Sequence, residues 1–297
     1  MADEEEFAGL TDRIATAVTQ TQGTLQSVAN ELSDEHIGRM LGRRMEEVQM
    51  LRPGVDSVRA LEQGIDNAEG AAVEPAKQAL VSTFRSYQVE AGNLSSRIGA
   101  AQRDLDGLRE SLHQRGGALK NALRDLERIE QLPDRATDDV AKLRGGVEYL
   151  NTVVDVVDQR VEQMMGELSQ ARSSANSLEN SAARIDGTRS HSAEIGSATR
   201  EIGGAISQAQ GQVGNLRTEL DKNSAGFRRI GQFAVDVANQ ASAEKQQADV
   251  EKAQLADAAR AGFTPQPAVD PRIAYSMGAQ EYRPDTDGQS KDRGQGR

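Results

Sequence analysis

Residues 140–185 read VAKLRGGVEYLNTVVDVVDQRVEQMMGELSQARSSANSLENSAARI. Alternating steps of four and three residues through this stretch land only on apolar side chains, at Leu143, Val147, Leu150, Val154, Val157, Val161, Met164, Leu168, Ala171, Ala175, Leu178, Ala182 and Ile185. The whole chain is 37% hydrophobic, so a random phase would fill roughly five of these thirteen positions. This 3.5-residue repeat predicts a long helix that buries a narrow seam against other helices.

Three other stretches carry the same repeat. One runs from Phe7 to Val28 with a polar middle, and one runs from Leu80 to Ile129 with Arg115 as its only break. The last resumes at Ile195, three residues out of frame, which indicates either a stammer in one continuous helix or a reversal of the chain. Prolines and glycines between these stretches predict four main helices at about 7–52, 75–132, 138–186 and 193–260.

The predicted fold is all-α and elongated. Its long heptad-repeat helices form a coiled coil or an antiparallel helical bundle, followed by an extended, proline-containing C-terminal tail. The chain divides into an N-terminal helical segment (1–52), a connector with a short helix (53–74), a long coiled-coil helix (75–132), a second (133–186), a third (187–260) and an extended or disordered docking tail (261–297).

The composition disfavours several functional classes. Aromatic residues make up 3% of the chain, and tryptophan and cysteine are absent, so neither a thick aromatic core nor a thiolate metal site is expected. A formal charge of −11 disfavours binding to phosphate backbones. The three histidines lack ligand spacing, and no phosphate loop or nucleophile motif occurs. We therefore expect no enzymatic activity, cofactor, metal, nucleic acid or small-molecule substrate.

The N-terminus, Met1-Ala2-Asp3-Glu4-Glu5-Glu6, is acidic where a secretory signal would be basic and then apolar. No apolar run approaches the 18 or so residues of a membrane span. We expect a protein without a signal peptide or membrane span, either cytoplasmic or incorporated into an assembled particle.

Two features interrupt the predicted seams. Arg115, followed by Gly116 and Gly117, either leaves the seam for solvent or marks a hinge, and the pairs at 145–146 and 203–204 pose the same question. Asn223 occupies an inward position in the third coiled-coil helix. It either fixes register and oligomeric state as a buried polar residue or marks a hydrated patch.

The tail offers a docking hypothesis. Apolar and aromatic side chains are spaced along a segment stiffened by prolines, a form typical of peptides that bind grooves on a partner. The candidate anchors are Phe263, Pro265, Pro267, Ile273, Tyr275, Met277 and Tyr282. The alternatives are a plain disordered terminus and a tail that folds back on its own helices.

Two functional hypotheses follow. The first is a non-enzymatic structural protein: an oligomeric coiled-coil subunit of a fibre, virion, appendage or intracellular scaffold that docks through its ends. The second is an adaptor or regulatory coiled-coil protein that presents its tail to a client in a sensory or secretion system. Both predict self-association, because narrow seams need other helices for burial, and both predict other proteins as partners.

Overall fold

The computed structural model describes residues 2–33, 35–135, 137–183 and 191–262. Five long helices and one short turn of 3₁₀ helix account for nearly all of them. Their bounds are α1 at Ala2–Glu31, α2 at Ile37–Asp66, the 3₁₀ turn at Gly70–Ala72, α3 at Val73–Gln131, α4 at Asp138–Ala183 and α5 at Ser192–Gly262. No strand occurs in these described ranges.

Helices α3, α4 and α5 alternate in direction. Contacts between α3 and α4 pair low residue numbers with high ones, as antiparallel helices require, and so do contacts between α4 and α5. The pairs are Ser95 with Asn176, Gly116 with Val154, Arg160 with Glu219 and Gly146 with Ile230. The chain therefore reverses between α4 and α5, so the three-residue frame offset needs no stammer.

Helices α1 and α2 together supply the fourth member of the bundle. Both run antiparallel to α3 and to α5, and they follow one another along those two helices. The contacting pairs are Arg13 with Asp125, Leu51 with Tyr87, Gln22 with Gly231 and Val48 with Gly203. The prediction of an all-α antiparallel helical bundle is confirmed.

The structure falls into two units, Met1–Gln246 and Gln247–Arg297. The first unit contains the bundle. The described part of the second unit is the final stretch of α5, in which every side chain from Asp249 to Ala258 is exposed. A helix that is exposed on all sides contributes no buried apolar area of its own.

The helix end predicted at Pro53 is wrong. Helix α2 continues through Pro53 to Asp66, so much of the predicted connector at 53–74 is helical, and the break lies earlier, between the end of α1 at Glu31 and the start of α2 at Ile37. A proline inside a helix costs about 3 kcal/mol. Burial of Leu51, Val55 and Val58 offsets that cost, because the side chains on both sides of the proline pack into the core.

Tyr87 of α3 lies against this irregular part of α2. Its side chain is buried, and its hydroxyl donates a hydrogen bond of 2.8 Å to the carbonyl oxygen of Leu51. A methyl group at Gly54 would overlap that hydroxyl, so the absence of a side chain at Gly54 makes room for the ring. Burial, followed by the nearby charges of Glu90 and Asp56, raises the pKa of Tyr87 to about 12.

This raised pKa predicts an alkaline loss of stability. The unfolded chain releases the Tyr87 proton near pH 10, whereas the folded chain holds it to about pH 12. Because the folded state binds more protons in that window, the free energy of unfolding should fall as the pH rises from about 10 to 12. Urea titrations of the wild type and Tyr87→Phe across this range test the prediction, since the variant lacks the proton.

Because the two chains share every other ionisable side chain, the comparison isolates Tyr87. At neutral pH, Tyr87→Phe should cost about 0.5–1.5 kcal/mol, the net contribution of one hydrogen bond. The difference between the two chains should shrink as the pH rises above 10. A difference that stays constant with pH would contradict the assignment.

Candidate interaction surfaces

The predicted seam of α4 lies inside the bundle. Its side chains are at most 2% exposed at Leu143, Val147, Leu150, Val154, Val157, Val161, Met164, Leu168 and Leu178. Ile185 lies outside the described residues. The seams of α3 and α5 are buried in the same core. These positions are core residues of one chain, so they do not form a surface for docking.

Charged side chains bridge the helices around this core. Arg144 of α4 donates two hydrogen bonds of 2.8 Å to Glu130 of α3, and this interaction raises the pKa of the Arg144 guanidinium. Arg13 of α1 makes a similar two-bonded pair with Asp125 of α3 at 3.0 and 3.1 Å, which raises the pKa of Arg13. Ion pairs near the surface contribute only about 0–1 kcal/mol each to stability. An arginine that makes two parallel hydrogen bonds to one carboxylate also helps to define the register between two helices.

The Arg115 interruption does not end the helix. Helix α3 continues through it, and Gly116 occupies the buried position in place of Arg115. The Arg115 side chain is half-buried, and its guanidinium leaves the seam towards α1, where it donates a hydrogen bond of 2.5 Å to the side-chain oxygen of Gln20. Of the two readings, the structure supports a side chain that leaves the seam. Gly117 is exposed on the outer face.

Asn223 does not face the core. It is exposed, and its amide nitrogen donates a hydrogen bond of 2.9 Å to the carbonyl oxygen of Glu219 in the same helix. The expected inward position is therefore wrong for this residue. Within one chain, a side chain that bonds its own backbone cannot fix register by pairing across a buried seam.

The candidate tail anchors lie outside the described residues. They are Phe263, Pro265, Pro267, Ile273, Tyr275, Met277 and Tyr282. The docking hypothesis for this segment therefore remains a prediction from the sequence.

The start of α5 is capped from a distant part of the chain. One carboxylate oxygen of Glu62 on α2 accepts hydrogen bonds from the backbone N–H groups of His191, at 2.5 Å, and Ser192, at 3.1 Å. A carboxylate at this position satisfies free N–H groups and lies at the positive end of the helix dipole. Sequence reasoning missed this contact because its two sides are 129 and 130 residues apart.

Other classes of site find no support in the part of the chain that the structure describes. Within those ranges, no three His, Cys, Asp or Glu side chains come together in a way that could hold a metal ion. Nor does any helix there combine the length and apolar character needed to cross a bilayer.

Comparison with known proteins identifies no family. No family model matches the chain, and no curated protein matches it. Among solved structures, the SmhB pore of the tripartite alpha-pore forming toxin Smh from Serratia marcescens aligns over 92% of this chain and 94% of its own, with 9% identity and a TM-score of 0.24. A TM-score of this size does not establish a common fold, so the match carries no inference about activity.

Proposed function

We propose that this protein is a non-enzymatic adaptor whose helical bundle presents the C-terminal segment to a client protein. The observation that carries the proposal is the burial of the heptad seams within one chain. A seam that is filled by its own chain leaves the bundle free to act as a rigid support. The predicted anchors of the tail, from Phe263 to Tyr282, then supply the contact with the client.

A second candidate is a structural subunit of a larger assembly that docks through its ends. The end of α5 favours it, because Val250 and Leu255 are 55% and 71% exposed within a stretch that is exposed on all sides. Apolar side chains on such a helix are available to a neighbouring subunit or to a second copy. In either role we expect protein partners and a location in the cytoplasm or in an assembled particle.

Deleting residues 263–297 separates the two proposals. If the protein is an adaptor, the shortened chain should keep its circular dichroism spectrum and melting temperature but lose a client that co-purifies with the full chain from the source cells. If it is a structural subunit, the shortened chain should still enter a large complex. Affinity purification with quantitative mass spectrometry measures both outcomes, and scrambling residues 263–282 in the full-length chain provides the length-matched control.

Light scattering on a dilution series completes the test. The adaptor proposal expects a helical species of 32.0 kDa that persists on dilution. A discrete oligomer that loses helix on dilution would contradict it, because the seams would then depend on other copies.

A further inference from the structure

A cleft of about 650 Å³ opens between α2 and α5, close to the start of α5. The contacts of Val48 with Gly203 and of Val55 with Gly196 fix the register of the two helices at this point. Small residues line the α5 wall of the cleft at Ser192, Ala193, Gly196 and Thr199. Long side chains can therefore lie across this wall.

Three arginines line the cleft. They are Arg52 and Arg59 on α2 and Arg200 on α5. Arg52 and Arg59 are seven residues apart, which is about two helical turns, so they lie on the same side of α2. The register of the two helices places Arg52 level with Arg200, because Val55 contacts the helix at Gly196 and Val48 contacts it at Gly203. The cleft therefore collects positive charge from both of its walls.

Arg52 and Arg200 lie against α5 without a carboxylate partner. The Nε of Arg200 donates a hydrogen bond of 3.1 Å to the carbonyl oxygen of Gly196, which holds this side chain along the helix. One Nη of Arg52 lies 4.0 Å from the position that a methyl group on Gly203 would take. Within the described ranges neither arginine forms an ion pair, and both are exposed. Their remaining N–H groups can therefore bind a ligand in the cleft.

Acidic side chains near the cleft neutralise only part of this charge. Asp56 lies 3.5 Å from Arg59, in a pair whose side chains are both more than half exposed. Glu62, beyond Arg59 on α2, accepts the backbone N–H groups at the start of α5, and Asp66 lies a further turn away at the end of α2. Asp56 is the one carboxylate among the lining residues, so two of the three positive charges are in excess.

The acidic residues in the first turns of α5 lie on the other side of that helix. At about 100° per residue, Glu194 and Glu201 are about 160° and 140° away from Gly196, which lines the cleft. Glu201 accepts a hydrogen bond of 3.1 Å from Ser174 of α4, and Glu194 lies 3.7 Å from Nδ1 of His191. Neither carboxylate therefore faces the arginines.

The charge and the donors of the cleft match a phosphate group. A phosphate monoester carries about −1.5 to −2 charges at pH 7 and offers three acceptor oxygens, and arginine binds phosphate through paired hydrogen bonds. A carboxylate offers one charge, which a single arginine neutralises. A nucleic acid needs a longer row of cations, whereas this cluster is confined to one cleft on a chain with a formal charge of −11.

We propose that this cleft binds a phosphate monoester. The phosphate lies between Arg52 and Arg200, and Arg59 contributes a third positive charge. The cleft is larger than one phosphate group, so it also accommodates part of the molecule to which the phosphate is attached. This site lies in the bundle and does not involve the C-terminal tail, so it does not depend on the adaptor role.

Calorimetric titration of the full-length chain tests the proposal. The probes are glycerol 3-phosphate, inorganic phosphate and acetate, in a buffer of low ionic strength at neutral pH. Glycerol 3-phosphate should bind with a dissociation constant below about 1 mM, acetate should give no measurable binding, and added sodium chloride should weaken the interaction. Equal affinity for inorganic phosphate would identify the free ion as the ligand. Tighter binding of glycerol 3-phosphate would show that the cleft also contacts the ester.

Variants of the arginines provide a matched comparison. Arg52→Gln with Arg200→Gln should weaken binding at least about tenfold. Arg52→Lys with Arg200→Lys should have an intermediate effect, because lysine keeps the charge but lacks the paired donors. Arg228→Gln with Arg229→Gln is the control. It removes the same charge from exposed side chains of α5, about 42 Å along the helix from Arg200, and should leave the affinity unchanged. Circular dichroism should show the same helix content in all three variants, since every substituted side chain is exposed.

Four outcomes would overturn the proposal. The first is no measurable binding of either phosphate probe, and the second is acetate that binds as tightly as glycerol 3-phosphate. The third is a cleft variant, Arg52→Gln with Arg200→Gln, that binds as well as the wild type or no worse than the control variant. The fourth is a short DNA duplex that binds more tightly than glycerol 3-phosphate and is lost in the cleft variant, since the occupant would then be a nucleic acid.

Discussion

Leu150→Ala is expected to lower the free energy of unfolding by about 2–5 kcal/mol. Leu150 is fully buried in the seam of α4. Truncation removes the apolar area that its side chain takes out of water and leaves a cavity among helices of fixed spacing. Few large side chains are available to fill that cavity, because aromatics are 3% of the chain. The loss should therefore lie towards the upper part of the range.

Leu255→Ala provides the matched control. It removes the same atoms, but Leu255 is 71% exposed, so the free energy should change by no more than about 0.5 kcal/mol. Urea unfolding followed by circular dichroism measures both variants. An equal loss from the two substitutions would show that the end of α5 is buried by other copies in solution. No loss from Leu150→Ala would contradict its place in the core.

The helices and their buried faces were largely predictable because a heptad repeat is local information. The structure places α3 at Val73–Gln131 and α4 at Asp138–Ala183, against predictions of 75–132 and 138–186. Each repeat states which face of a helix is apolar. It does not state whether the covering helix belongs to the same chain, so a coiled coil between chains and an antiparallel bundle both remained open, with self-association favoured.

The remaining features depend on residues far apart in the sequence. Helix α2 continues past Pro53 because core packing and a hydrogen bond from Tyr87, 36 residues from Leu51, stabilise it. The cap supplied by Glu62 has no local signature. A sequence-based prediction judges a helix-breaking proline or an uncapped helix start from the residues next to it in the sequence. The contacts that stabilise both features here come from residues that are distant in sequence and close in space.

Asn223 shows the same limit at a candidate site residue. The heptad repeat identifies Asn223 as a polar residue at a position that is otherwise apolar, and the structure agrees that this position differs from its neighbours in the repeat. Whether the exception is buried depends on the direction of its amide, which bonds the carbonyl oxygen of Glu219.

Three glycine pairs place one member towards a neighbouring helix and the other towards open space. A methyl group would meet no atom within 4 Å at the outward positions, which are Gly117, Gly145 and Gly204. At the inward positions it would lie 3.7 Å from Val154 for Gly116, 2.9 Å from Ile230 for Gly146 and 3.3 Å from Val48 for Gly203. The inward glycine of each pair therefore allows a neighbouring helix to approach closely. The outward glycine carries the same entropic cost of folding but makes room for no contact.

Replacing the three outward glycines with alanine should raise the free energy of unfolding by about 1.5–3 kcal/mol. Each substitution restricts the unfolded chain and favours helix by about 0.5–1 kcal/mol, and none introduces a clash. Because the three sites lie on three different helices and a methyl group at each would meet no neighbouring atom within 4 Å, the gains should add. Urea unfolding of the triple variant and its three single variants measures the gain and its additivity.

The inward triple variant is the control, because it makes the same chemical change one residue away. Its helix propensity gain should be cancelled or reversed, since Ile230 and Val48 must shift to admit the new methyl groups, and overpacking costs about 1–3 kcal/mol. Gly146→Ala should account for most of the loss, since its contact is the shortest. Gly116→Ala should be tolerated, because 3.7 Å is an ordinary contact distance. Equal stabilisation by the inward and outward variants would mean that the helices do not approach as closely as these distances require.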